Sequence, residues 1–324
     1  MGQTTNAVEV ARRVADEVLF PAALSVDTAD RVPQSHLDEL ADAGLYGDLI
    51  TDFETMCAVA EVLAAGCLTT TFVWVQHHGL VGALLAPDAP AGFRDEWLAP
   101  LCAGRRRAGL ALAGLLPGPP RLTARREGDG WVLDGDAPWV TGWGLVDVLL
   151  VVARVGENEV VRLVVDARAG DGLDATHHHL VAANASATVS LTFRSVAVPA
   201  ERVLRVEPYD PSVMLAAQAL RANGSLALGV AGRCCRMIGR SPLDAEVDAC
   251  RAALDRADGA SMSAARAVAS ELAWRAAAAL VVTEGSRSVR TDDHTQRLAR
   301  EALFLLVFGT RPPIRASLLG MLGA

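Results

Sequence analysis

The chain contains no lysine: all 30 of its Lys and Arg positions are arginine. That absence removes Schiff-base chemistry, a phosphate-loop lysine and a lysine general base; the bias itself reads as codon usage in a GC-rich genome. Aromatic residues make up 5% of the chain, with 2 tyrosines against 6 tryptophans. Long apolar runs are missing too. Although 51% of residues are hydrophobic and mean hydropathy is +0.27, no window of about twenty residues is apolar enough to span a bilayer. The richest, AWRAAAALVV, is short and carries Arg275. The opening residues have helical spacing and no signal-peptide hydrophobic region. A cytoplasmic protein without membrane contact is expected, its apolar excess lying in buried helices or a subunit interface.

A net charge of −8 and a pI near 5.4 argue against nucleic acid as a partner. The cysteines Cys57, Cys67, Cys102, Cys234, Cys235 and Cys250 form no CxxC pair and no zinc-like Cys/His spacing. They read as small buried thiols of a reducing compartment, and no metal site is expected.

What is present divides the chain into three blocks. Residues 1–107 read as a helical domain. In PQSHLDELADAGLYG, apolar Leu37, Leu40, Ala41 and Leu45 share one face, with Pro33 at the start and Gly44 at the end. TTTFVWVQHHGLVGALLA is apolar nearly all round, which places it centrally in a bundle. Residues 108–204 alternate short β-favouring runs with Gly-Asp turns, the pattern of a β-barrel or sandwich. Residues 205–324 return to alanine-rich helices whose small faces permit close packing in a four-helix bundle or an oligomer interface. The fold class is thus α+β and multidomain: helical domain, middle β-barrel domain, helical bundle.

Four stretches in this order carry a family resemblance. HLDELADAGLYG resembles an L-A-x-x-G-L-x-G helix end, and GDGWVLDGDAPWVTGWGLVDVLLV a strand and loop built on W-x-T. LTFRSVAVPAERVL resembles F-x-x-V-x-V-P-x-x-x-x-L, and REALFLLVFGT a closing helix with an E-G-T element. Together they resemble the acyl-CoA dehydrogenase superfamily. The resemblance implies FAD between the β-domain and the helical bundle, an acyl-CoA or acyl-carrier thioester as substrate, and a homo-oligomer or a hetero-oligomer with a related subunit. It puts Trp139 at the flavin ring, the Thr141 hydroxyl near flavin N5, and Gly142, Gly309 and Thr310 at the cofactor. An indole offers a stacking face and one N–H, and a hydroxyl both donates and accepts. Read from the residues alone, Trp139 serves equally well to fill a barrel end.

The pattern also breaks. Where the family carries T-E-P and G-S-D hydroxyls for flavin and phosphate, this chain reads LALAGLLPGPPRLTA, with no Ser or Thr between Leu110 and Leu122 and with Pro119 and Pro120 lacking N–H donors. The family's R-x-x-F-G and Gln are missing from GRCCRMIGRSPLDAEVDACRAALDRAD, where Arg236 and Arg240 offer cations either to a pyrophosphate or to solvent. Oxidation α,β to a thioester needs a carboxylate to take the α-proton as hydride leaves the β-carbon. The family's two glutamate positions fall here on Phe308 and Leu220, neither of which accepts a proton.

Substitutes are few. Glu301 shares a helix with Phe308, although Arg297, four residues before it, is a natural ion-pair partner; Asp147 follows the Trp-Thr loop. His77 and His78, in an apolar helix, either line the bundle or act near the substrate. His177, His178 and His179 follow one another in a strand or loop, and consecutive strand residues cannot converge on one metal. The expected function is an acyl-CoA dehydrogenase-like flavoprotein of lipid metabolism, an oxidoreductase on CH–CH donors whose base comes from an unidentified residue or from a partner subunit. The alternatives are a non-catalytic half-site subunit of a heteromeric dehydrogenase, as in short actinobacterial members, or an enzyme reusing the fold for another reaction.

Overall fold

The computed structural model describes residues 2–47, 50 and 52–324. The first block forms α1 (Gly2–Val14), a π-helical turn at Ala15–Leu19, α2 (Phe20–Asp27), α3 (Gln34–Asp42), α4 (Phe53–Gly66), α5 (Leu68–Leu85) and α6 (Ala91–Cys102). Local chemistry sets the ends. Pro33 stands at the N-cap of α3, and Gly44, at φ 72°, follows its end in the left-handed region. The Asp52 carboxylate accepts from Thr55 N–H at 2.7 Å and caps α4. One extended residue, Cys67, separates α4 from α5. As its all-round apolar sequence predicts, α5 is buried along most of its length.

The middle block folds as β1 (Ala108–Ala111), β2 (Leu122–Glu127), β3 (Gly130–Val140), β4 (Val148–Val155), β5 (Glu159–Asp166), β6 (Leu173–His177), β7 (Val189–Val198) and β8 (Val203–Pro208). The strands form one 8-stranded sheet in the order β6-β7-β3-β2-β4-β5-β8, with β1 also on β4. One edge of β4 is shared: its first half pairs parallel with β1, and its Arg154 meets Thr123 of β2. That single Thr123–Arg154 pair joins the two halves of the sheet, yet both halves fill one core around Leu133, Val151, Leu163, Leu191 and Phe193. The opposite face of β4 and β5, through Val148, Leu150 and Val164, packs on Leu80 and Leu84 of α5 and Trp97 of α6.

The last block contains α7 (Ala217–Ile238), α8 (Pro242–Arg256), α9 (Met262–Glu284), α10 (His294–Val307) and α11 (Pro312–Met321). Helices α7 to α10 pack on one another, α11 lies on α9, and α7 also packs on α4. The small-residue faces permit that approach: a Cβ at Gly229 of α7 would sit 2.3 Å from the Glu61 carbonyl of α4. One apolar core therefore runs through both helical blocks. Cys57, Cys67, Cys234, Cys235 and Cys250 are buried thiols, and burial pushes each above the usual thiol range. Among the described residues no helix is long and apolar enough to cross a membrane.

Candidate functional site

The two tryptophans of APWVTGW part company. Trp143 is buried in the β-core, whereas Trp139 is 66% exposed. The pairing of β3 with β7 slips between Ala137 and Val140. Pro138, without an N–H, lies in that bulge. Trp139 follows at φ 60°, left-handed backbone in which a bulky side chain is an outlier. The bulge turns its indole outward, onto the His178 ring at 4.8 Å and 28°. Ala183 and Ala187, in the facing segment between β6 and β7, are also left-handed, at φ 56° and 49°. Strain of this kind, on the order of 1–3 kcal/mol per residue, persists only where the surroundings over-determine the backbone.

Thr141 points the other way. Its hydroxyl is buried and lies 3.3 Å from Thr188 Oγ1, which is 2.8 Å from Ser186 Oγ. Gly142 N–H donates to Ser186 O and Trp143 N–H to Ala187 O, so the 184–188 segment runs as a second wall of the loop. Gly142, at φ 89°, lies where a side chain is strained, and an added Cβ would sit a tight 3.1 Å from the Val146 side chain. On the loop's outer side, a cavity of about 320 Å³ is lined by Asp30, Arg31, Asn184 and His177 to His179. His178 Nε2 is 2.9 Å from Ser190 Oγ, and among the described residues no group of three potential ligands is placed to hold a metal.

Helix α5 ties this loop to the C-terminal bundle. Val73 faces Gly142, while Phe72 packs edge-on against Phe304 and Phe308 at 5.3 and 4.7 Å. Phe304 and Phe308 themselves stack at 5.3 Å. Phe308 closes α10, Gly309 turns the chain at φ 62° beside the Asn223 amide of α7, and Thr310 Oγ1 donates to Leu306 O. Beneath the turn Arg266 is buried; its guanidinium donates to the Leu305 and Phe308 carbonyls at 3.5 Å and to Ser270 Oγ. Burial holds Arg266 down to about 10. Leu220 is 1% exposed inside α7, with Arg221 beside it paired to Asp255 at 2.7 Å.

The carboxylates are engaged elsewhere. Glu301 is buried against Arg297 at 2.5 Å, and burial raises its carboxyl above the usual range despite that cation. Asp147 Oδ2 accepts from Arg107 N–H at 2.7 Å, fixing the start of β1.

His77 and His78 lie on α5 away from Phe72. His77 Nδ1 accepts from Ala108 N–H at 3.2 Å, and its ring meets Tyr46 edge-on at 4.7 Å. His78 packs on Trp74 at 4.4 Å. Burial, then His78 and Arg107, hold His77 well below its ordinary 6.5, and burial lowers His78 to about 4. Both folded values lie below the unfolded one, so the unfolded chain binds protons first and their contribution to stability, full above pH 6.5, is lost as pH falls toward 4. The urea midpoint is expected to hold steady above neutrality and to drop through that window. His78→Gln should flatten the slope; a variant that tracks the parent at every pH rules His78 out as its source.

The segment before β2 has its own arrangement. Ala113, Gly114 and Leu115 are buried on β4, and a Cβ at Gly114 would lie 2.6 Å from the Val152 carbonyl. Arg154 donates to the Gly114 and Leu116 carbonyls at 3.1 Å, its guanidinium 3.3 Å over the Tyr209 ring. The polar atoms thus engaged are carbonyl acceptors turned toward a cation, the wrong polarity for an anion. Arg236 and Arg240 are exposed at and beyond the end of α7.

The family model for the acyl-CoA dehydrogenase N-terminal domain matches residues 3–105. The whole chain superposes on butyryl-CoA dehydrogenase from Megasphaera elsdenii with a TM-score of 0.85 and 16% identity, covering 100% of this chain and 99% of that one. Residues 3–105 thus match the acyl-CoA dehydrogenase N-terminal domain, and the chain as a whole has the acyl-CoA dehydrogenase fold. It is similar to the bovine mitochondrial short-chain specific acyl-CoA dehydrogenase, 25% identical over 46% of this chain and 39% of that protein. It is likewise similar to the short-chain specific enzyme of Clostridium acetobutylicum, 22% identical over 61% and 57%. The matches therefore span about half the length of these relatives. A further solved likeness is a glutaryl-CoA dehydrogenase from Mycobacterium smegmatis in complex with FADH2, with a TM-score of 0.77, 18% identity, and 99% and 95% of the two chains covered.

The facing wall is not legible in the sequence: Ser186, Thr188 and His178 have no contact with Trp139 or Thr141 that spacing reveals. The only cue was two hydroxyls and a histidine run between two strands, a pattern as common in turns.

Proposed function

We propose that this chain acts on an acyl thioester as one subunit of an acyl-CoA dehydrogenase-type flavoprotein, a cytoplasmic hetero-oligomer in which a related subunit supplies the proton-abstracting carboxylate. The observation that carries this is the aromatic cluster of Phe72, Phe304 and Phe308 at the family's base position, with the other position taken by buried Leu220. Glu301 and Asp147 are committed to Arg297 and to the Arg107 backbone.

The residues present fit one end of FAD. The outward indole of Trp139 offers a face to a planar ring and the buried Thr141 hydroxyl a polar group at its edge, with Gly142, Gly309 and Thr310 in the two turns that α5 ties together. The inward-facing carbonyls at Gly114 and Leu116 do not suit its phosphates, so those contacts come from the related subunit. When bound, the flavin is the hydride acceptor. This chain's part is to orient the ring through Trp139 and Thr141 and to exclude water through the three phenylalanines.

The test is expression alone and together with a carboxylate-bearing relative from the same genome, followed by visible absorption and dye-linked oxidation of short acyl-CoAs. The lone chain should bind little flavin and turn over roughly 10²–10⁴-fold more slowly than the mixed assembly, the range a general base contributes. Turnover by the lone chain at the rate of the mixed assembly would end the proposal. A chain colourless in both settings points instead to another reaction on this fold, with His77 and His78 the first residues to replace.

A further inference from the structure

The segment between β6 and β7 that faces Trp139 and Thr141 is held from outside its own domain. Arg300 of α10 donates through Nη1 to the Val181 carbonyl at 2.7 Å and to Asp27 Oδ1, at the end of α2, at 3.0 Å. Its Nη2 takes the other Asp27 oxygen, and its Nε donates to Gln296 Oε1 at 2.5 Å. One guanidinium, with four of its five N–H donors engaged, therefore joins the C-terminal bundle, the N-terminal helices and the β-domain. Val181 itself is 71% exposed, while Ala182 and Ala183 after it are buried, so this hydrogen bond restrains the segment at the point where its own side chain does not pack.

What lies on either side of Val181 gives that contact its consequence. Three residues before it, His178 stacks on Trp139, its own N–H donating to Thr188 O at 3.0 Å. Two and six residues after it come the left-handed Ala183 and Ala187. Between them Asn184 ties Leu180 N–H to its Oδ1 at 3.0 Å and donates from Nδ2 to Ala29 O at 3.3 Å. A segment with two strained alanines keeps its shape only under such external restraint, and this segment carries both the ring that covers Trp139 and the hydroxyls that reach Thr141.

We infer that Arg300 is a positioning residue for the Trp139–Thr141 loop, acting through the Val181 carbonyl and the His178 ring. The inference builds on the reading of Trp139 and Thr141 as the functional loop, but its test requires neither flavin nor thioester. An imidazole stacked on an indole quenches its fluorescence, so the Trp139 contribution, taken as the difference between a protein and the same protein carrying Trp139→Phe, reports the stack.

In Arg300→Met and Arg300→Lys the Trp139 signal should rise to the level of His178→Ala and become more accessible to acrylamide. Combining Arg300→Met with His178→Ala should add nothing further. Arg300→Lys keeps a cation for Asp27 and so guards against a merely unfolded variant, and Asp27→Asn, which leaves the Val181 bond in place, should move the signal less. A purely structural Arg300 would lower the melting temperature of these variants and leave the Trp139 signal at its parental value, which overturns the inference. If instead the signal moves as stated while Trp139→Phe leaves flavin and acyl-CoA binding intact, the positioning stands and the functional reading of the loop fails.

Discussion

Glu301→Ala is expected to lower unfolding stability by about 3–5 kcal/mol, because it strands the Arg297 guanidinium without its carboxylate. Arg297 and Glu301 side chains are 1% and 2% exposed and 2.5 Å apart. Arg297 also lies within 5.8 Å of the Phe20 ring, and its remaining polar contact is a long 3.4 Å approach to His294. Removing one partner leaves a full charge in the joint core of the helical blocks, where nothing replaces its hydration. Removing both is a different experiment. Arg297→Met with Glu301→Leu fills similar volume with apolar atoms and should recover most of the loss, since a buried pair gains little over well-packed hydrophobic side chains. Urea unfolding of the two single variants and the double variant measures this. A Glu301→Ala loss below about 1 kcal/mol would mean that water reaches Arg297 and that the pair is open.

The second large effect concerns chemistry. Phe308→Glu should give the lone chain α-proton exchange of a bound acyl-CoA with deuterated water, faster than the parent by about 10²-fold or more, within the span general bases supply. The reasoning is local. Position 308 closes α10 over Arg266, whose guanidinium reaches the Phe308 carbonyl at 3.5 Å, and its side chain faces Phe72 and Phe304. An apolar surround raises a carboxyl's pKa and strengthens it as a base near neutrality, while the cation below the turn limits that rise. Exchange read by proton NMR needs no flavin turnover, so it tests proton abstraction at this turn apart from any cofactor contact. Phe308→Gln is the control, similar in size and unable to take the proton. Equal exchange in Phe308→Glu and Phe308→Gln would move the reacting carbons away from this turn.

The sequence by itself determined the architecture. Period and turn chemistry are local signals: the all-round apolar pattern of α5, Pro33 and Gly44 around α3, and Gly-Asp turns between β-branched runs specify elements without knowledge of their partners. The Arg297–Glu301 pair was legible for the same reason, as four residues along a helix fix two side chains on one face. The absence of a carboxylate at Phe308 and Leu220 was likewise a fact of residue type.

Only the tertiary structure decided which tryptophan of APWVTGW faces out. Trp139 and Trp143 differ through a slipped β3–β7 register, and register depends on the partner strand, not on the residues of the loop. The same holds for the wall opposite. Thr188 meets Thr141 across 47 residues of chain and Arg300 meets Val181 across 119, contacts that no periodicity encodes because they arise when separately specified elements pack. What the sequence could state was a set of side chains with the right chemistry; which of them share a surface is set by the packing of three blocks around α5 and α10.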